Sequence, residues 1–177
     1  NKSKKTQEIS NEIYDFSIAI FGKPNAGKST FLNKILGYER SSTNTKAGTT
    51  TDCVVENFIY KSKKIKIFDT SGIGRKSKIS LGSIDYLSIN KSLQIIYEVK
   101  SCVLLIDSSN KFDRQDKRII SIISNKAKSL IIVFNKFDLI SNKLKFKKNI
   151  IFEIDNNIHQ LNNTKIFFIS SFSKKQI

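Results

Sequence analysis

The sequence predicts a three-layer α/β fold in which a mostly parallel sheet lies between helices. Six short apolar runs recur along the 177 residues, and most are separated by stretches long enough for a helix. Four of the runs are almost wholly apolar, as expected for strands that are buried on both faces. The runs are "FSIAIFG", "CVVENFIY", "KIKIFDT", "CVLLID", "LIIVFN" and "KIFFIS".

The strands and helices are predicted in alternation, with one exception. The segments Cys53 to Tyr60 and Lys64 to Asp69 are joined only by "KSK", which is too short for a crossover, so this pair is antiparallel. We therefore expect six strands, five of them parallel, with Cys53 to Tyr60 antiparallel at one edge. Helices are expected at Lys28 to Leu36, about Ile84 to Lys100, about Arg114 to Lys126, and about Leu144 to Leu161.

The chain divides into a polar start and one domain. Residues 1–15 are polar and charged without periodicity, and we interpret them as a linker. Residues 16–177 have the length of a single domain with one core. The sequence begins at Asn1 and stops at "SKKQI", where another helix is expected. We therefore interpret it as a fragment of something longer, from which the final helix of this domain is missing.

The net charge of +16 has two explanations that the sequence leaves open. A basic surface is typical of proteins that bind RNA. The abundance of Lys, Asn, Ile, Ser and Phe is equally typical of an AT-rich genome, which would make many lysines ordinary solvated surface.

Composition also limits where the chain works. No apolar run approaches the roughly 18 residues of a membrane span, and the first residues show no apolar signal-peptide core, so we expect a cytoplasmic protein without a membrane partner. Cys53 and Cys102 have neither disulfide nor zinc spacing and are expected to be reduced.

A phosphate-binding loop follows the first strand. "GKPNAGKS" satisfies G-x-x-x-x-G-K-[ST] between a predicted strand and a predicted helix. Its glycines let backbone N–H groups wrap phosphates, Lys28 reaches the outer phosphates, and the Ser29 hydroxyl ligates Mg²⁺. The predicted contacts are Gly22, Lys23, Pro24, Asn25, Ala26, Gly27, Lys28, Ser29 and Thr30.

"FDTSG" ends the third strand and supplies the second motif. Asp69 is placed to hold Mg²⁺ through a water molecule, and the Gly72 N–H to meet a terminal phosphate. The predicted contacts here are Asp69, Thr70, Ser71, Gly72 and Ile73.

"FNKFD" ends the fifth strand and indicates guanine. The Asp138 carboxylate can accept from the N1–H and the exocyclic amine of guanine, whereas adenine has no proton on N1. Asn135 is expected to support the loop and the base, and the Lys136 stem to lie along the purine. Phe137 belongs to the same loop, and the backbones of Ser170 and Ser171 in "FFISS" are expected to face the guanine carbonyl.

These motifs together resemble the Era/EngA/TrmE group of P-loop GTPases. "GKPNAGKS", "AGTTTD", "DTSGI" and "NKFD" carry the likeness, and "GIGRKSKI" with "SIDYLSINKSLQII" is similar to the second GTPase domain of ribosome-assembly GTPases of the Der (EngA) family. The resemblance implies slow, Mg²⁺-dependent hydrolysis of GTP to GDP and phosphate. It also implies a neighbouring GTPase domain, a KH-like domain, and the rRNA of the large ribosomal subunit as partners.

The resemblance assigns further roles residue by residue. Thr50 matches the threonine that closes on Mg²⁺ and the γ-phosphate, and Asn25 matches an asparagine that helps to hold a stimulating K⁺. Ile73 stands where many GTPases have a water-orienting glutamine, which implies a slow intrinsic rate. The residues expected to act in catalysis are Asn25, Lys28, Thr50 and Gly72.

Some positions depart from the family pattern, and two other functions remain open. The family commonly has Arg at the position of Gly74 and at that of Lys91. It usually has Ser-Ala where this chain has Ser171 and Phe172. The first alternative function is the G domain of a tRNA-modification GTPase or of an iron transporter. The second is a nucleotide-gated RNA-binding module with negligible hydrolysis.

Overall fold

Six strands form one mostly parallel sheet in the order β2-β3-β1-β4-β5-β6. The computed structural model describes residues 13–37, 54–70, 94–157 and 164–172. The strands are β1 (Phe16–Gly22), β2 (Val54–Tyr60), β3 (Lys63–Asp69), β4 (Ser101–Asp107), β5 (Leu130–Asn135) and β6 (Lys165–Phe168). Only β2 is antiparallel to its neighbour, and it lies at the edge of the sheet. The predicted fold class is confirmed.

The helices at Lys28, Arg114 and Lys143 follow the predicted segments closely, whereas residues 84–93 of the helix predicted at about Ile84 to Lys100 lie outside the described residues. They are α1 (Lys28–Leu36), residues 94–98, called α2 here, α3 (Arg114–Ser124) and α4 (Lys143–Asn157). α1 has its predicted bounds, and it ends where Gly37 adopts φ 76°, a left-handed conformation that glycine tolerates. α3 ends two residues earlier than expected. Residues 158–161, predicted as the end of α4, and Cys53, predicted to begin β2, lie outside the described residues.

Two apolar layers cover the two faces of the sheet. Successive residues of β1 alternate between them, because side chains of a strand point to opposite faces. Ala19 and Phe21 belong to the layer that includes apolar residues of α2, α3 and α4. Ile20 belongs to the other layer, with Phe31 and Leu32 of α1.

The parallel register brings the carboxyl ends of the central strands to one edge. Asp69 of β3 lies opposite Ile20 of β1, and Asp107 of β4 lies opposite Asn135 of β5. Ligands of open α/β sheets bind at this edge, and the predicted site residues that the structure describes lie in the loops along it. Among the described residues, no helix is both long enough and apolar enough to span a membrane.

Candidate functional site

The phosphate loop turns sharply because three of its residues adopt positive φ. These are Gly22 at 152°, Asn25 at 64° and Gly27 at 89°. A Cβ on Gly22 would lie 2.5 Å from the Leu105 carbonyl oxygen, and one on Gly27 would collide with the amide nitrogen of Asn135. The loop therefore requires glycine at both ends, and Asn25 is among the few other residue types that tolerate this conformation.

Lys28 lies across the loop and is buried. Its ammonium donates to the carbonyl oxygens of Gly22, at 2.7 Å, and Lys23, at 2.8 Å. The charge is therefore held at the centre of the loop, where the outer phosphates of a nucleotide would lie.

The start of α1 is open to an anion and to a cation. Gly27 precedes the helix and has no side chain to cap it, so the first N–H groups and the helix dipole face the loop. Ser29 and Thr30 are exposed in the first turn. Asp69 ends the neighbouring strand, and the adjacent Thr70 hydroxyl donates to the Ile20 carbonyl at 2.7 Å.

These groups fit a Mg²⁺ site of the kind that nucleotides complete. Among the described residues no group of three or more His, Cys, Asp or Glu side chains is placed to hold a metal. One hydroxyl and one carboxylate, with phosphate oxygens and water, are what Mg²⁺ commonly takes in such sites. Ser29 and Asp69 have the required chemistry.

Asn135 connects the base motif to the phosphate loop. Its side chain is buried; the amide nitrogen donates to the Ala26 carbonyl at 2.9 Å. Its amide oxygen accepts from the Ser171 N–H at 2.9 Å and from the Ser171 hydroxyl at 2.8 Å. One side chain thus holds three loops together, and the sequence predicted all three as parts of one nucleotide site.

Lys136 and Asp107 form a second connection. The Lys136 ammonium lies 2.6 Å from the Asp107 carboxylate, which also accepts from Ser109 and Asn110. Burial disfavours the Asp107 charge, but the hydrogen bonds from Lys136 and Ser109 outweigh it and lower its pKa. Asp107 therefore fixes both the loop after β4 and the tip of Lys136.

The rest of the base motif has one buried and one exposed residue. Phe137 is buried beneath the loop, whereas Asp138 is exposed at the start of a 3₁₀ turn. Lys136, directly before this turn, adopts the left-handed conformation with φ 59°. The carboxylate is accessible to a base.

Comparisons with known proteins show the family of this chain. A family model described as 50S ribosome-binding GTPase matches residues 17–136. The chain belongs to this GTPase family.

Curated relatives are GTPases named Der. This GTPase is 34% identical to GTPase Der of Rickettsia canadensis over 184 residues, which is 99% of this chain and 41% of the relative. It is 44% identical to GTPase Der of Fusobacterium nucleatum over 126 residues, or 71% of this chain and 28% of the relative. The chain therefore spans less than half the length of these relatives.

Solved Era structures share the fold. One, with MgGDPNP and nucleotides 1506–1542 of 16S ribosomal RNA, has a TM-score of 0.67 and 30% identity, covering 90% of this chain and 52% of that one. An Aquifex aeolicus Era variant bound to GDP and AlF₄⁻ has a TM-score of 0.66 and 28% identity, with the same coverage.

The GTPase also has a contact that sequence reasoning missed. Lys23, in the phosphate loop, lies 2.8 Å from the Asp113 carboxylate and 2.9 Å from the Asp116 carboxylate. Both acids belong to the capping box of α3, in which Asp113 accepts from backbone N–H groups and Asp116 accepts from the Asp113 N–H. The D-x-x-D pattern signals the cap, but nothing in the sequence pairs it with Lys23.

The titration of the three groups reflects this arrangement. Burial opposes the Asp113 charge, but hydrogen bonds from Lys23 and from the backbone of α3 lower its pKa to about 2. Burial raises the pKa of Asp116. Burial also disfavours charge on Lys23, but its bonds to Asp113 and Asp116 prevail and raise its pKa.

Several predicted site residues are not placed by this structure. Thr50, Ser71, Gly72 and Ile73 lie outside the described residues, as do Gly74 and Lys91. Ser170 is buried, and its hydroxyl has no hydrogen-bond partner among the described residues. The Ser171 N–H, expected to meet guanine, is donated to Asn135 instead.

Proposed function

We propose that this chain is the GTP-binding and GTP-hydrolysing switch domain of a ribosome-assembly GTPase. The observation that carries the proposal is the position of Asn135. Its hydrogen bonds to Ala26 and Ser171 hold the phosphate loop and the base loops in one fixed relation. A preformed frame of this kind suits a ligand with phosphates at one end and a purine at the other.

Guanine recognition rests on Asp138 and on a backbone donor. The exposed carboxylate pairs with the N1–H and the exocyclic amine of the base. Because the Ser171 N–H is donated to Asn135, the next N–H, that of Phe172, becomes our candidate donor to the guanine carbonyl. The Lys136 stem, anchored at its tip by Asp107, lies along the purine face.

The guanine assignment is tested by Asp138→Asn. An amide can donate to a carbonyl oxygen where the carboxylate could only accept, so we expect specificity to shift from guanine to xanthine nucleotides. Competition between GDP and xanthosine diphosphate for a fluorescent nucleotide measures the shift. A variant that still prefers GDP as strongly as the natural chain would contradict the assignment.

In hydrolysis, the residues of this chain position the reacting groups and stabilise charge, and no covalent intermediate forms. Lys28 and the start of α1 face the phosphates, so charge that develops in the transition state is stabilised by groups already in place. Ser29, Thr50 and, through a water molecule, Asp69 are the residues that would hold Mg²⁺, which would supply further positive charge when bound. Water is the nucleophile, and the aliphatic Ile73 cannot orient it, so the intrinsic rate is slow.

A potassium ion held partly by Asn25 is our candidate for stimulating GTP hydrolysis, which is slow because Ile73 cannot orient the water. Asn25 is exposed in the phosphate loop with φ 64°, and its amide oxygen is a ligand type that K⁺ accepts. We expect phosphate release from GTP to be faster in KCl than in matched NaCl, and Asn25→Ser to lose that difference. Equal rates in both salts while GTP still binds would refute the K⁺ site.

The partner in the cell is proposed as the large ribosomal subunit. The family description names 50S binding, and the Der relatives extend well beyond this chain. We place the chain as a cytoplasmic second GTPase domain, flanked in the whole protein by another GTPase domain and a KH-like domain. Hydrolysis would release Thr50 and the region from Gly72 to Ser88 and so change ribosome affinity. Co-sedimentation of the whole protein with 50S subunits, with GTP analogue against GDP, tests this.

A second function, a nucleotide-gated RNA-binding module, is favoured by two features. Ile73 in place of glutamine and a net charge of +16 suit a protein that binds RNA without turnover. The two functions differ in one measurement. GDP-bound and GTP-bound forms that bind RNA differently, with no phosphate release in any monovalent cation, would favour the module.

A further inference from the structure

The edge of the sheet opposite the nucleotide loops carries a row of lysines. We call this edge the amino-end face; it comprises the starts of the parallel strands and the β2–β3 turn. Lys61 lies in that turn, Lys100 precedes β4, Lys128 lies two residues before β5, and Lys165 begins β6. All four side chains are exposed. The lysines thus cross the sheet from one edge strand to the other.

The row is continuous because neighbouring strand starts are joined by backbone hydrogen bonds. Adjacent strands lie about 4.8 Å apart, so six strands span roughly 24 Å. The bonds run from the N–H of Asp15 to the Lys64 carbonyl at 3.0 Å, from that of Lys100 to Ser17 at 3.0 Å, and from that of Cys102 to Ser129 at 2.9 Å.

Exposed aromatic rings lie between the lysines. Tyr60 ends β2 and is 57% exposed, and the Lys61 ammonium lies 5.5 Å from its ring centre. Phe16 begins β1 and is 41% exposed, with the Lys100 ammonium 5.9 Å from its ring. Tyr97 of α2, four residues before the start of β4, is 60% exposed.

The acidic groups at this face do not cancel its charge. Asp15 accepts from the Lys64 N–H at 2.8 Å and lies 3.7 Å from the Lys63 ammonium. Its carboxylate is therefore already opposed by a lysine. Glu98, near Tyr97, adds one further negative charge. Counted over the described residues, the face is positive.

We propose that the amino-end face binds a single-stranded RNA segment. Lysines along a row neutralise successive phosphates, and exposed rings between them offer stacking surfaces for unpaired bases. An acidic peptide would use the lysines but not the rings, and a duplex keeps its bases stacked internally. The proposal gives the RNA partnership of the proposed function a location, and it holds whether or not the domain hydrolyses GTP.

The first test compares two variants of equal charge. Lys61→Gln/Lys128→Gln/Lys165→Gln removes three charges from the amino-end face. Lys111→Gln/Lys145→Gln/Lys148→Gln removes three exposed charges from the loop after β4 and from α4. Binding of fluorescein-labelled single-stranded oligouridine to the GDP-saturated chain is measured by anisotropy over a KCl series.

The expected result is a difference in salt dependence. Each phosphate contact contributes about 0.7 to the slope of log K against log salt for single strands, so the first variant should lose about 2 from the slope and the second little. An equal loss of slope in both variants would overturn the proposal, because RNA binding would then depend on the total charge and not on the amino-end face. A larger loss in the second would place the RNA on α4.

A second variant tests base stacking, and its GDP affinity separates a failure of the RNA proposal from a failure of the proposed nucleotide site. Tyr60→Ala should weaken oligouridine binding about 5- to 150-fold. GDP affinity should be unchanged in Tyr60→Ala and in the first triple variant, since neither touches the nucleotide loops. If GDP affinity falls in either variant, the double variant Lys61→Gln/Tyr97→Leu takes its place. It should then weaken oligouridine binding and leave GDP affinity unchanged. Tighter binding of polyglutamate or duplex RNA than of oligouridine would overturn the single-stranded assignment.

Discussion

Asn135 joins loops that lie far apart in the chain. Its three hydrogen bonds reach Ala26, in the phosphate loop, and Ser171, after β6. All of these groups are buried or nearly so, and a buried polar group left unpaired costs more than a hydrogen bond contributes. The residue that the sequence suggested as a base support is, in the structure, the support of the whole frame.

Asn135→Ala should destabilise the fold and weaken nucleotide binding together. Removing the side chain leaves the Ala26 carbonyl and the Ser171 donors unpaired, at a cost on the order of 3 kcal/mol. Urea unfolding with and without GDP measures both effects. Asn156→Ala is the matched control, since its bond to the Phe152 carbonyl is exposed, and it should cost less than about 0.5 kcal/mol. Similar losses in the two variants would refute the role assigned to Asn135.

The pairing of Lys23 with Asp113 predicts a specific pH dependence. Because the pKa of Asp113 is lowered to about 2 from an ordinary value of 3.8, its charge contributes stability above about pH 4 that is lost as pH falls toward 2. Asp116 acts with the opposite sign, because its pKa is raised by burial.

Asp113→Asn isolates this contribution because Asn caps a helix as well as Asp does. Since the Asp113 side chain is 47% exposed, the loss at neutral pH should stay below about 1 kcal/mol. The variant should also lose less stability than the natural chain between pH 4 and pH 2, as followed by urea unfolding. The control Asp155→Asn removes an exposed charge from α4. If Asp155→Asn reduces the loss of stability between pH 4 and pH 2 by the same amount, net charge rather than the Lys23 pair is responsible.

At the scale of elements, one aromatic cluster holds β5 to its neighbours. The Phe134 ring centre lies 5.7 Å from that of Phe112, 6.1 Å from Phe146 and 5.3 Å from Phe168. These rings come from the segment before α3, from α4 and from β6. Their packing positions the strand that ends in the base motif.

Phe134→Ala should therefore cost about 3–5 kcal/mol, the usual range for removing a buried ring. Phe167→Ala on β6 removes the same group from a site that is 47% exposed, so its cost should be below about 1 kcal/mol. The midpoint of urea unfolding reports the difference. Costs within error of each other would mean that the cluster does not stabilise this end of the sheet.

At the scale of the whole molecule, ligand binding and stability are linked. A non-hydrolysable GTP analogue with Mg²⁺ at about 100 times its Kd should raise the free energy of unfolding by about 2.7 kcal/mol. For a domain of this size the melting temperature rises by roughly 5–11 °C. Lys28→Ala should lose the effect because the outer phosphates lose their cation, and EDTA should reduce it in the natural chain. Full stabilisation of Lys28→Ala would contradict the phosphate loop.

Much of the fold could be predicted because its signals are local. A strand, a glycine turn and a helix start are each set by neighbouring residues, so α1 and the antiparallel β2–β3 pair were predicted almost residue by residue. The same is true of the glycines, since positive φ is a property of single residues. The end of α3 differs by two residues from the predicted one, because helix ends depend on weak local preferences.

The amino-acid sequence by itself determined the fold class, the loop chemistry and the order of the nucleotide motifs, since each depends on residues adjacent in the chain. The tertiary structure alone decided the strand order, the Lys23 pair with α3, the Asn135 frame and the row of lysines along the amino-end face. Those contacts join residues far apart in sequence, and one sequence contains no signal for which of many lysines or carboxylates will meet. They exist only after the parallel register has brought the strand ends together.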